Sequence, residues 1–400
     1  MFPSSLSLTR FVATCALISA SGASAQWSIV NIHPTAASYS NLYSVNTNQQ
    51  CGQARINSFS HASIWSESAD SWIDLHPFTA SPSSSEAFAT NGVQQVGRAV
   101  LGNSPSGNHA SLWSGTVASW VDLNPPGARN SIATALWGDT QVGQSNFIGL
   151  GVTATLWRGS AASFVLLNPA NSTTSEALGV AYDQQVGRAV INGTGHASLW
   201  RGTSASWISL NPPSATDGYA QSTDGSQQAG WVQLGGAAHA SLWSGSAASW
   251  IDLHPAPAAS SYALSTNKGL QVGFTLTNPI SHASLWSGSV DSWVDLHTLL
   301  PSNYTTSTAY AIWSDATSTY IGGYAFNSQT TRTEAIIWKR PAPQPCVADF
   351  NQDGGIDGSD LEAFFTIWET GAPAADVNLD GGTDGQDIET FITRWVTGAC

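Results

Sequence analysis

Two stretches near the C-terminus carry oxygen-bearing side chains at a spacing that could hold a metal ion. In the first, Asp349, Asn351, Asp353, Asp357 and Asp360 fall at positions 1, 3, 5, 9 and 12 of a segment with Gly354 at 6 and Gly355 at 7. Starting 27 residues later, Asp376, Asn378, Asp380, Asp384 and Asp387 repeat that spacing, with Gly381 and Gly382 at 6 and 7. Ca2+ takes about six to eight hard oxygens. An EF-hand-type loop supplies them from these positions, with the backbone carbonyl at 7 and a Gly at 6 for the sharp turn. Two Ca2+ ions are therefore expected, with Gly355 and Gly382 contributing main-chain oxygens. Apolar residues at helical spacing follow each loop, Leu361, Phe364, Phe365 and Trp368, then Ile388, Phe391, Ile392 and Trp395, and predict one helix apiece. Residues 346–400 hold 11 acidic side chains against one cation, Arg394, a local net of −10. A solvated acidic tail would share the charge, but not the duplicated spacing or the two amphipathic helices.

This segment resembles a type I dockerin over about residues 347–397: two twelve-residue loops with Asp at position 12 (Asp360 and Asp387), each followed by one helix. The resemblance implies a small all-α module, Ca2+-dependent folding and docking onto a cohesin-like protein module on a scaffold or surface. Just inside the loop ends the family often carries Ser-Thr, whereas this chain has Gly358-Ser359 and Gly385-Gln386. That departure leaves the calcium sites intact and the identity of the partner open.

The elements that would carry such a module are read from an internal repeat. The phrase HASLW or a variant ends at Trp65, Trp113, Trp157, Trp200, Trp243, Trp286 and Trp338, in steps of 48, 44, 43, 43, 43 and 52 residues. A second aromatic, Trp72, Trp120, Phe164, Trp207, Trp250 or Trp293, opens SWIDLHP or a variant seven residues later. Gly turns such as Ser114-Gly115 lie between, so these two pieces read as a hairpin, and the closing Pro stops the strand. A small-residue piece and a QQVG-like piece, ending at Gly52, Gly97, Gly143, Gly187, Gly230, Gly273 and Gly322, complete the unit. Four short strands in ~43 residues predict a β-propeller blade. Seven units give an all-β, seven-bladed ring over residues 26–340, in preference to a β-solenoid, whose periods run nearer ~20–30 residues. The fragment Trp27–Pro34 supplies the missing SWIDLHP-like piece and should close the ring against the strand ending at Trp338.

These units resemble the HAF family of extracellular repeats, whose pattern also runs His-Ala-small-Leu-Trp, Gly turn, Asp-Leu, Ala-rich strand and Gln-Val-Val-Gly. The family is defined by its repeats, so the resemblance implies fold and secretion and not a chemistry. All nine histidines fall on repeat positions: His61, His109, His196, His239 and His282 open HASLW, and His33, His76, His254 and His297 close SWIDLHP. One residue per blade answers to blade packing, whereas zinc needs three or four ligands around one point. The recurrent tryptophans read likewise as inter-sheet filling. The off-phase Trp137, Trp231 and Trp313 are the candidates for contact with a carbohydrate ligand.

Composition fixes the setting. The 400 residues carry a net charge of −14 with only 12 Lys and Arg, so there is no basic footprint for nucleic acid. Residues 1–25 read as a signal peptide: Arg10, an apolar run from Phe11 to Ala20, then Ala23-Ser24-Ala25. The run is shorter than the ~20 residues of a membrane span, so the expectation is a secreted or cell-surface bacterial protein, monomeric, with the Pro-rich linker 341–345 ahead of the module at 346–400. Cys346 and Cys400 bracket that module, and a clasp between them is expected in an oxidising compartment. Cys51 is expected as a buried free thiol. Two functions remain. One is a non-enzymatic binding propeller fixed through its calcium module. The other is a polysaccharide-degrading glycoside hydrolase, which needs two carboxylates facing the scissile bond. The 15 acids of the propeller segment offer no out-of-phase pair, which favours binding.

Overall fold

The computed structural model describes residues 27–77, 83–101, 107–277, 279–341, 346–351, 353, 355–378 and 380–398. The expected signal peptide, residues 342–345 of the expected linker, and Cys400 lie outside the described residues. Two compact units are present. In the larger, seven four-stranded antiparallel sheets follow one another as the blades of a propeller. They cover residues 40–74, 85–122, 128–166, 172–209, 217–252, 260–295 and 304–341, the last completed by the strand Ser28–Asn31.

Within a blade the small-residue piece is the inner strand, the QQVG piece the second, HASLW the third, and the SWIDL piece the outer strand. Each inner strand has one bulge beside the Gly of the second strand, as between Leu42 and Ser44 opposite Gly52. A Cβ at Gly52 would overlap the carbonyl oxygen of Asn41, so the sharp approach admits only glycine. In the seventh blade this place is taken by Gly323, paired with Ala309, and not by Gly322 as the sequence alignment suggests. The outer hairpin also differs from expectation. A left-handed turn residue (Glu67 in the first blade, Gly in the next five) and a short 3-10 helix (Ala69–Ser71 in the first blade) join the third strand to an outer strand of two residues, Ile73–Asp74 in the first blade. Ser71 is the cause: its Oγ accepts from Ser66 N at 2.8 Å and donates to the Ser68 carbonyl at 2.6 Å, curling the link on itself. Five further blades repeat the arrangement with Ser119, Ser163, Ser206, Ser249 and Ser292.

The blades are joined by the tryptophan that ends each third strand, buried in all seven. Each indole crosses into the preceding blade. Trp113 packs with Cys51, Ala62, Ile64 and Leu75 of the first blade and with its own Ala87. Trp243 meets Val186, Ala197, Leu199 and Leu210 of the fourth and its own Ala220. Burying ~150–250 Å2 of aromatic surface stabilises by about 4–6 kcal/mol as an upper bound. Six of these indole N–H groups have no acceptor among the described residues. An unpaired N–H costs about 1–3 kcal/mol, less than the area term, so volume decides the side chain at this place. Only Trp338 finds a partner, the Leu296 carbonyl at 3.2 Å.

Cys51 is buried and free, its thiol pushed up by burial. The N-terminal strand closes the ring: Ser28–Asn31 pairs antiparallel with the strand Arg332–Pro341, Ile29 opposite Trp338 and Val30 opposite Ile337. Removing residues 27–34 should therefore raise hydrogen exchange at Ile336 and Ile337, some 300 residues away in sequence. Unchanged protection there would refute closure by this strand.

Candidate functional site

The smaller unit carries both acidic loops. Its two helices, α1 (Gly358–Trp368) and α2 (Gly385–Thr397), begin one residue after the position-9 carboxylates, which cap them. Asp357 Oδ1 accepts from Ser359 N and Asp384 Oδ1 from Gln386 N, both at 2.8 Å. Each cap is a reciprocal box, in which the position-12 carboxylate accepts from the N-cap backbone N–H. Both position-12 groups, Asp360 and Asp387, are fully buried. Asp360 also accepts from Asn351 N at 3.1 Å, and Asp387 from Val377 N at 2.9 Å and Asn378 N at 3.2 Å. The Asp387 carboxyl sits below the usual range: burial raises it, and the backbone donors outweigh that.

The wiring of one loop is copied in the other. Asp353 N donates to Asn351 Oδ1 and Asp380 N to Asn378 Oδ1, each at 2.9 Å. Gly355 N and Gly382 N donate to Asp353 and Asp380 at 2.9 and 3.0 Å. Gly381 adopts φ +93°, the left-handed turn wanted at position 6. Asp376 accepts from Asp380 N and Gly381 N. Position 1 of the first loop, Asp349, lies at the loop's start. The two halves then interlock. Phe364 and Phe391 stack at 4.1 Å, Phe350 lies edge-on to both, and each helix's tryptophan reaches across: Trp368 Nε1 donates to the Asp384 carbonyl and Trp395 Nε1 to the Asp357 carbonyl, at 2.9 and 2.8 Å.

Among the described residues no three His, Cys, Asp or Glu side chains come together as a metal-holding group. The donor set nevertheless fits a hard cation. Each loop counts an Asn oxygen and a main-chain carbonyl besides its Asp side chains, and eight Asp carboxylates share a segment whose only cationic side chain is Arg394. Oxygen-only donors with this excess of negative charge suit Ca2+ and not a thiolate- or imidazole-seeking metal.

In the propeller the histidines are structural. His61, His109, His239 and His282 pair through Nδ1 with Asp74, Asp122, Asp252 and Asp295 of their own blades at 2.7–2.9 Å. His76 stacks on His61 with ring centroids 4.3 Å apart, and His254 on His239 and His297 on His282 at 4.1 Å. His76 Nδ1 bonds Ser85 Oγ at 2.9 Å, and that hydroxyl accepts from Ala62 N, stitching two blades together. Asn124 and Asn168 do the same for Ser131 and Ser175. The fifth blade has Gly218 where the serine should stand, and Asn211 moves in to take Ala197 N directly at 2.8 Å.

A cavity of about 1010 Å3 opens at one mouth of the ring. The turns between first and second strands wall it, and every blade contributes, which places it on the propeller axis. Trp137 and Trp313 line it, as does Tyr182, which the repeat pattern did not single out. Trp231 does not; it stacks on Tyr219 at 4.6 Å deeper in the second strand.

No protein-family model and no curated protein sequence matches this chain. Solved structures match its fold. The β-propeller domain of the Trilobed protease from Pyrococcus furiosus is 9% identical, with a TM-score of 0.51 over 76% of this chain and 97% of that one. A prolyl endopeptidase is 12% identical, with a TM-score of 0.50 over 74% of this chain and 48% of that one. A puromycin hydrolase is 10% identical, with a TM-score of 0.49 over 72% and 52%. The chain thus spans about half the length of those two enzymes. At these identities the likeness defines a seven-bladed propeller and no activity. Among the described residues no helix is long and apolar enough to cross a membrane.

Burial, then the neighbouring His61, holds the His76 pKa down at about 4; burial and their stacked partners lower His254 and His297. The unfolded chain protonates these groups near 6.5, so it binds more protons than the folded one below that pH, and stability falls as pH drops from about 6.5 towards 4. Thermal unfolding should show this fall, and His76→Asn, which imitates Asn124, should flatten it relative to the parent chain. An unchanged slope would refute the assignment.

Proposed function

We propose that this is an exported, non-enzymatic binding protein: a propeller that presents a ligand site, fixed to a scaffold or cell surface through a calcium-loaded, dockerin-like module that engages a cohesin-like partner. The duplicated loop carries this reading. Two copies of the 1-3-5-7-9-12 oxygen pattern have the same internal wiring, a buried position-12 Asp and a crossed tryptophan bond. Asp349, Asn351, Asp353, Gly355, Asp357 and Asp360 would hold one ion and Asp376, Asn378, Asp380, Gly382, Asp384 and Asp387 the other. Bound Ca2+ would supply the positive charge that lets these carboxylates share a loop. The signal-like leader and HAF-type repeats support export, and the fold supports binding.

The propeller's carboxylates support the non-enzymatic half. Four serve the histidines, and Glu86, Asp139, Asp183, Asp217 and Glu67 pair with Arg98, Arg158, Arg201, Arg188 and Lys339. Glu334 is buried among Asn31, Tyr304, Asn327 and Thr330. Hydrolysis of a glycan needs two carboxylates free to face one bond, and these ten of the segment's 15 are committed to other partners.

Limited proteolysis of the full chain tests the calcium half. A chelator should speed cleavage beyond residue 345 about tenfold or more while the propeller fragment persists, and added Ca2+ should restore protection. Equal cleavage with and without chelator would overturn it. Asp387→Ala removes a ligand and the acceptor of three backbone N–H groups, and should weaken Ca2+ binding by about tenfold or more, read by calorimetry. Non-reducing peptide mapping should find Cys346 linked to Cys400, a closure worth about 4 kcal/mol in the chain-entropy model; a Cys51 linkage would refute it.

A further inference from the structure

The cavity on the propeller axis is polar at its rim and aromatic on its walls. Asn46, Asn91 and Asn267 line it from three blades, the Asn91 oxygen accepting from Val93 N and Gln94 N and that of Asn267 from Ser314 N, and Ser44, Ser222, Ser226 and Ser265 add hydroxyls. Its charges are few. Asp183 is tied to Arg201 at 2.6 Å, one oxygen of Asp224 already accepts from Ser226 and Gln227, and Lys268 is the one cation of the lining.

The aromatics break the repeat. At the turn position where Trp137 stands, counted from the residue opposite the glycine of the second strand, five blades have Asn46, Asn91, Ala181, Asp224 and Asn267, and the seventh has Trp313. The Trp137 and Tyr182 rings lie 4.7 Å apart. Tyr182 is 66% exposed and holds φ +53°, a left-handed backbone that a bulky side chain adopts at a cost. Its ring rests on Gly225 of the next blade, where a Cβ would run into it. Trp313 is fixed by Nε1 donating to Thr47 Oγ1 at 2.8 Å. An exposed aromatic in a strained turn, with a glycine opposite to accommodate it, gains nothing for the fold from its exposure.

We propose that this mouth binds a neutral oligosaccharide, with Trp137 and Tyr182 as the stacking platform and the asparagines as its hydrogen-bonding rim. Sugar rings offer an apolar C–H face to an aromatic and hydroxyls to amides, which matches the two kinds of lining. An anionic ligand would face Asp183, Asp224 and a propeller segment with 15 acids against ten Lys and Arg, with Lys268 as the one counter-charge of the lining. A wholly apolar ligand would strip water from the amides and hydroxyls without replacing their bonds. A volume near 1010 Å3 is at the upper end of small-ligand sites, about 300–1,000 Å3, with room for several sugar residues.

This inference deepens the binding half of the proposed function and is independent of the calcium half. Calorimetry on the full chain in Ca2+ tests it with the hexaoses of cellulose, xylan, mannan and chitin, and with oligogalacturonate as the anionic probe. At least one neutral hexaose should bind, Tyr182→Ala and Trp137→Ala should each weaken it about tenfold or more, and Ile148→Ala, exposed and outside the cavity, should not. Because Tyr182 is exposed, its removal leaves the fold intact, which a matching melting curve checks. No binding by any neutral hexaose, binding indifferent to both aromatic variants, or tighter binding of oligogalacturonate would overturn the site. Release of shorter sugars from a bound hexaose would leave the site standing and overturn the non-enzymatic reading.

Discussion

The propeller depends on the indole that ends each third strand. A four-stranded blade has two apolar faces and cannot bury either alone, so its stability comes from the neighbour. One side chain per interface, driven into the preceding blade, is the largest one fully buried there. The choice constrains the rest. Ala62, Ala110, Ala154, Ala197, Ala240, Ala283 and Ala335 must stay small to leave room, and the Gly of the second strand must let the bulged inner strand close in. Because every blade leans on the one before, the first has nothing to lean on until the seventh reaches it. There Trp65 packs with Ile337 and Ala335, and the N-terminal strand adds the edge that completes the last sheet.

A second, polar contact fixes the register that the indole alone would leave loose. The backbone N–H of each of these alanines is buried at the interface and must find an acceptor. In six blades it is a serine hydroxyl from the next blade, itself oriented by a His or Asn. The exception, Asn211 beside Gly218, keeps the acceptor and discards the serine. What the interface requires is therefore an oxygen at that point, and the histidines are one way to hold it there. This accounts for the four histidines His33, His76, His254 and His297, each of which holds one of these serines.

How much of this was legible in the chain follows the same division. The blade count, the ring-closing fragment and the buried Cys51 follow from periodicity, because packing that repeats leaves a repeating trace. The position of Gly323 did not, since the seventh repeat carries a longer inner hairpin and two adjacent glycines. The stacked histidine pairs were hidden because their members lie 15 residues apart and meet only once the outer link has curled. At the cavity, Trp137 and Trp313 stood out as tryptophans off the repeat. Tyr182 did not, because a Tyr-Asp turn looks ordinary until its exposure and left-handed backbone are seen. The two duplicated loops and the helices that follow them were legible from spacing alone, whereas the crossed tryptophan bonds were not, since Trp368 and Trp395 first read as members of an apolar stripe.

The two units handle charge in opposite ways. In the propeller five carboxylates pair with an Arg or Lys and four more with the imidazole of their own blade. In the C-terminal module carboxylates crowd two loops with one arginine in the segment, and backbone N–H groups answer several of them among the described residues. The crossed indoles add a mutual dependence. Trp368 on α1 holds the carbonyl of Asp384, which caps α2, and Trp395 on α2 holds the carbonyl of Asp357, which caps α1. Disordering either loop releases the helix cap it contains and the tryptophan anchored on it, whose own helix starts from the other loop. A duplicated sequence has thus been folded into one cooperative unit, in which neither loop keeps its shape without the other.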